Sequence, residues 1–163
     1  MLLFFLYTTF FLLSSGFIRR NVGSCPEEVK KQAYLALVRP HLEYASSAWN
    51  PHLQKHIQHI EMVQSRAARS IKSNYSKDPD TVTTLLEQLE LPPLSRRRKI
   101  TRITLLHKTI HEKLAIPIPS YIIKPTRSSR FHHPKRYIQI RPKKDDYKYS
   151  FFPHVIRDWN QLF

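Results

Sequence analysis

Glycine is nearly absent from this sequence of 163 residues: only Gly16 and Gly23 occur. A phosphate-cradling P-loop and a dinucleotide fingerprint both need several glycines at fixed spacing, so both are excluded. Two-residue glycine hairpins are scarce for the same reason. A single cysteine, Cys25, excludes disulfide scaffolds and cysteine-based zinc ribbons or fingers. Acids are few as well: 12 Asp and Glu stand against 27 Lys and Arg, a net charge of +15. The apolar fraction of 41% is low-normal, so the chain is not disordered throughout and can bury a modest core.

What is present is unevenly placed. Residues 1–90 hold 10 basic and 8 acidic side chains, whereas residues 91–163 hold 17 basic and 4 acidic. Such an excess on a short segment favours a polyanionic partner, nucleic acid or an anionic membrane surface, because unscreened like charge is costly. Most of the prolines fall in the second half and divide it into short pieces. Met1 to Leu13 is apolar apart from Tyr7, Thr8 and Thr9, and Ser14, Ser15 and Gly16 follow. That run is short of the about 20 residues of a membrane span and suits a signal-peptide core. The usual positive residue before such a core is missing, and Arg19-Arg20 comes after it. These residues alone leave a topogenic leader and a chance extension equally open.

Periodicity points to helices. Ser24 with Glu27 forms a capping-box pattern for a helix over 26–39, its inward side Val29, Ala33, Ala36 and Leu37. Pro40 ends or kinks it. A second helix covers 52–74, with Ile57, Ile60, Val63, Gln64, Ala67 and Ile71 on one face and Lys55, Arg66, Arg69 and Lys72 projecting from the other. A short helix over 81–89 closes at Pro92-Pro93. A third long helix runs over 95–114 with the seam Ile100, Ile103, His107, Ile110 and Leu114. Arg96, Arg97, Arg98, Lys99 and Arg102 crowd its first turns, where cations oppose the helix dipole by ~0.3–1 kcal/mol each when exposed, which favours an anion there. Beyond Ala115, Thr126 to Arg130 reads as a basic loop. Tyr137 to Arg141 alternates like a strand that pairs with Tyr147 to Phe151, and Ser150 caps a terminal helix over 153–162. The expected fold is mainly α: a helical bundle over 16–114, then a basic, proline-rich segment over 115–163 with a hairpin and a final helix.

Chemistry is sparse. His52, His56 and His59 lie near helical spacing and His107 and His111 are four apart, but a zinc site needs a third ligand that the sequence does not place beside them. A core role is expected for His107. Asp78 with Asp80, and Asp145 with Asp146, sit in charged loops, not on the rigid elements that hold two metals ~3.5–4 Å apart. Cys25 precedes a helix start without an identifiable histidine partner. The reading assigns no catalytic residue, metal, cofactor or small-molecule substrate. Cations and aromatics interleave in the tail: Arg127, Arg130, Phe131, Lys135, Arg136, Tyr137, Lys143, Lys144, Tyr147, Lys148 and Tyr149. Phosphate contacts with aromatic platforms hold single strands in this way, and core packing produces the same alternation.

Several blocks carry a resemblance. Gly16-Phe17-Ile18-Arg19-Arg20-Asn21 with Cys25-Pro26, then Tyr34 to Pro40, Leu42 to Ser47 and Trp49-x-Pro51, are similar to the region just after the catalytic palm in reverse transcriptases of jockey-like non-LTR retrotransposons. Glu61 to Arg69, Leu94 to Arg98 and Tyr147 to Asn160, with Arg157-Asp158-Trp159-Asn160, resemble the following blocks in the same order. The resemblance covers 16–163 and implies the thumb and C-terminal portion of an RNA-directed DNA polymerase, without fingers, palm or endonuclease. Asp145-Asp146 does not match the family's palm aspartates. It further implies that the missing palm and fingers are natural partners, that the site is intracellular, and that 1–15 is a chance extension. The phosphate-contact candidates are Lys55, Arg66, Arg69, Lys72, Arg96, Arg97, Arg98, Lys99, Arg102, Lys135, Arg136, Lys143 and Lys144, gripping RNA or RNA–DNA duplex without reading bases. The alternative is a small secreted or membrane-tethered basic protein, which requires Met1 to Leu13 to be topogenic.

Overall fold

Proline 40 sets the geometry of the first helical stretch. In the computed structural model, which describes residues 20–76, 78, 80–125 and 133–163, α1 (Glu27–Ala33) runs directly into a π-helical turn (Tyr34–Val38) and then α2 (Arg39–Glu43). Pro40 donates no hydrogen bond and its ring presses on the preceding turn, and a wider turn before it relieves the clash. Arg39 N–H accordingly reaches back to the Tyr34 carbonyl. The extra residue rotates the face, so Tyr34, Val38 and Leu42 are buried while Val29 and Leu37 are 46% and 52% exposed. The expected inward side is thereby corrected. Pro26 occupies the N-cap position and no side chain caps α1, so the Ser24 capping box does not form.

After α3 (Ser46–Trp49) come α4 (Gln54–Ile71), α5 (Thr81–Gln88) and α6 (Leu94–Ile110). The chain then continues to α7 (Asp145–Lys148) and α8 (Phe151–Asn160). The protein is mainly helical, and no strand occurs among the described residues. No described helix is long and apolar enough to cross a membrane. The leader Met1 to Ser15 and the loop Thr126 to Arg130 lie outside the described residues.

Two compact units divide between Arg97 and Arg98, inside α6, whereas the sequence alone places the boundary after Leu114. In the first unit, α4 packs against α1 and α5 around Tyr34, Val38, Leu42, Ile60, Val63, Ala68, Ile71, Leu85, Leu89, Leu91 and Leu94. Gln64 is the polar centre of that core. Its Oε1 accepts from the Tyr34 hydroxyl at 3.0 Å, and its Nε2 donates to the Pro92 carbonyl at 3.0 Å. Burial pushes the Tyr34 hydroxyl well above its ordinary range.

The second unit is built on Leu106, Tyr137, Val155, Ile156 and Trp159. The expected hairpin is absent. Tyr137 to Arg141 adopts no regular secondary structure, and Tyr147 and Lys148 belong to α7, which starts with Asp145 and Asp146 where negative charge suits a helix N-terminus. The backbone of the first segment is bonded by a side chain at Tyr137 and, at the next residue, by the Ile123 carbonyl, which accepts from Ile138 N–H at 3.0 Å. Asn160 Oδ1 accepts from Tyr137 N–H at 3.0 Å and its Nδ2 donates to the Tyr137 carbonyl at 2.8 Å, standing in for a strand neighbour. Ser150 takes the N-cap position of α8, but its hydroxyl donates back to the Tyr147 carbonyl at 2.7 Å.

With so little glycine, the helix ends use other residues in the left-handed region. Ser73, Glu90 and Glu112 follow α4, α5 and α6 with φ of 50°, 55° and 52°. Each completes a Schellman closure, seen in Asn74 N–H to the Arg69 carbonyl (3.0 Å), Leu91 to Leu86 (2.9 Å) and Lys113 to Lys108 (2.9 Å). The closure after Ile110 is why α6 ends short of Leu114.

Candidate nucleic-acid interface

One stripe of α4 faces away from the first core. At 100° per residue, Lys55, His59, Met62, Arg66 and Arg69 line up opposite Ile60, Val63, Gln64 and Ile71. Lys55, His59, Met62 and Arg66 are exposed and Arg69 is half-buried. The helix has one carboxylate, Glu61, and it is committed elsewhere: its oxygens accept from the backbone N–H of Ser95 at 2.7 Å and Leu94 at 3.1 Å. The stripe therefore carries positive charge alone. His56 borders it, and partial desolvation followed by the charges of Lys55, His59 and His52 holds its imidazole below the ordinary value. Lys72, past the helix end, contacts Glu27 at 2.6 Å.

The arginine-rich start of α6 is engaged from within. Glu61 supplies the anion that the helix dipole calls for. Arg97 forms a two-pronged pair with Glu43, through Nε and through Nη2 at 3.0 Å from Oε2, and that bond raises its already high affinity for a proton. Arg96 is exposed. In the second unit Arg98 is 1% exposed, and Arg102 Nη2 donates to Asp158 Oδ2 at 2.7 Å in a buried pair. Lys99 Nζ donates to Gln161 Oε1 at 2.8 Å and lies 3.5 Å from Asp158 Oδ1. The Arg102 guanidinium thus lies inside the unit, and Arg98 is buried as well.

That arrangement also corrects the seam of α6 in part, for Ile103 and Ile110 do pack against the second core. Leu94, Arg98, Arg102, Leu106 and Thr109 are buried along it, whereas Ile100 and His107 are exposed. Burial of an arginine at a central position requires a carboxylate partner, and Asp158 provides it.

In the C-terminal segment, Lys135, Lys143 and Lys144 are exposed and Arg136 is half-buried. The Lys135 carbonyl accepts from Trp159 Nε1 at 2.8 Å, which fixes that turn to α8. Tyr137 packs into the second core, so of the two readings of the tail aromatics this one is packing. Tyr147 is exposed and meets Tyr121 edge-on, with centroids 6.5 Å apart. Phe131, Arg127 and Arg130 lie outside the described residues.

Sequence reasoning passed over Glu43, Glu61, Asp158 and Asn160. Each acts across 23 to 56 residues, and the only local signal was the scarcity of acids beside so many arginines. Asp78 is exposed and Asp145 and Asp146 open α7 at the surface. Among the described residues no three His, Cys, Asp or Glu side chains come together as a metal-binding group. No family model, curated protein or solved structure matches the chain.

Proposed function

We propose that the chain is the thumb and C-terminal portion of a jockey-like non-LTR reverse transcriptase, and that it binds RNA or RNA–DNA duplex without catalysing a reaction. The acid-free outward stripe of α4, with Lys55 and Arg66 exposed and its one carboxylate turned to a backbone, carries the reading. Arg96, Lys135, Lys143 and Lys144 are exposed cations that add to it. Such contacts neutralise phosphates and position a duplex without reading sequence. Polymerase chemistry then belongs to palm and fingers, in the cytoplasm or nucleus.

Titration of the full chain with a primer–template RNA–DNA duplex at several salt concentrations tests this. Micromolar affinity that weakens steeply with salt is expected, with Lys55→Ala and Arg66→Ala each lowering the slope by about 1. Lys72→Ala and Arg97→Ala, whose cations already face Glu27 and Glu43, are expected to lower it less. Absent or salt-insensitive binding, or entry of a tagged chain into the secretory pathway, defeats the proposal.

A further inference from the structure

The second unit carries a file of rings that the phosphate contacts do not use. His111, His107, Trp159, Phe163 and His133 follow one another with centroid separations of 4.3, 6.3, 5.8 and 4.6 Å. The four-residue spacing of His107 with His111, and of Trp159 with Phe163, sets each pair on one side of its segment. His107, His111 and His133 are exposed and Phe163 is 38% exposed, while Trp159 is buried between the two outer pairs. His133 lies flat on Phe163, the planes 6° apart, and its Nδ1 accepts from Lys135 N–H at 3.4 Å. Lys135 Nζ stands 5.9 Å from the Phe163 centroid.

Exposed rings beside an ammonium group suit a ligand with both π-faces and negative charge. A duplex conceals its base faces in its own stack, and an apolar peptide has no use for the cation. An unpaired strand offers both features, a base to the ring and a phosphate to the lysine. We propose that this ring file is a stacking platform for unpaired nucleotides of RNA or DNA. The proposal rests on the polynucleotide-binding reading above.

The test compares the full chain's affinity for a short oligothymidylate with that for an abasic deoxyribose-phosphate oligomer of equal length. About tenfold tighter binding of the base-bearing strand is expected. The doubly substituted His133→Ala, Phe163→Ala chain, both changes at the surface, is expected to bind the two oligomers equally, with its abasic affinity unchanged. Equal affinity of the unaltered chain for both oligomers overturns the platform, whatever the variant does. If those equal affinities remain salt-dependent, polynucleotide binding survives without the platform; if neither oligomer nor the duplex binds, both readings fall.

Discussion

Arg102 and Asp158 meet in a buried ion pair, Nη2 to Oδ2 at 2.7 Å, that ties α6 to α8 within the second unit. Removing one partner of such a pair strands a charge away from water and costs about 3–5 kcal/mol, whereas replacing both with apolar residues is often near neutral. Asp158→Ala is therefore expected to lower unfolding stability severely, and Arg102→Met with Asp158→Leu to restore much of it. Urea denaturation of the three chains measures this. The double variant is also expected to keep its affinity for duplex, since a buried guanidinium makes no phosphate contact. A large loss of affinity in a stably folded double variant contradicts the structural role.

Glu61 caps α6 from a distance of 33 residues in sequence, bonded to the N–H groups of Leu94 and Ser95. It satisfies two orphan donors and places negative charge at the positive end of the helix. Glu61→Ala is expected to cost about 1–2 kcal/mol in urea unfolding, the range of a lost N-cap. Glu61→Gln, which keeps an acceptor and loses the charge, is expected to cost less. Equal stability of all three chains disposes of the cap.

These two carboxylates explain what the sequence could and could not disclose. The burial of α4 is legible because Ile60, Val63, Gln64 and Ile71 recur at three- and four-residue spacing. The face of α6 is not, because Leu94, Arg98, Arg102, Leu106 and Thr109 include two cations that residue counting assigns to water. For Arg102, the partner 56 positions away balances the charge that burial would otherwise strand. The same holds for the run at Tyr137. Its alternation reads as a strand of a hairpin, but Asn160 on a helix and the Ile123 carbonyl are what bond its backbone. The basic candidates divide accordingly: Lys55, Arg66 and Arg96 stay at the surface, while Arg98 is buried and Arg102 is paired within the second unit.

Glu90 and Glu112 hold left-handed backbone at the ends of α5 and α6, at φ of 55° and 52°, and both side chains are exposed. For a residue with a Cβ that conformation costs roughly 1–2 kcal/mol, part of which glycine gives back through greater freedom of the unfolded chain. Glu90→Gly and Glu112→Gly are each expected to raise unfolding stability by about 0.5–1 kcal/mol, additively because they terminate different helices. Thermal melts of the single and double variants check the claim, and a drop in either single variant refutes it for that helix.

Acid should move fold and binding in opposite directions at the α4 stripe. His56 is held below its ordinary value of 6.5 by desolvation first, then by Lys55, His59 and His52. A folded-state value below the unfolded one means that the unfolded chain takes up the proton more readily, so this contribution to stability is present above about 6.5 and lost as pH falls through it. The urea midpoint is thus expected to decline from about pH 7.5 to about pH 5.5, and His56→Gln to flatten part of that decline. As its imidazole takes up the proton, His56 gains positive charge beside Lys55, and a phosphate backbone favours that charged form. Duplex affinity should therefore rise while stability falls, and the His56→Gln chain should lose part of the rise. An affinity that declines with pH in step with the urea midpoint places the polynucleotide somewhere other than this stripe.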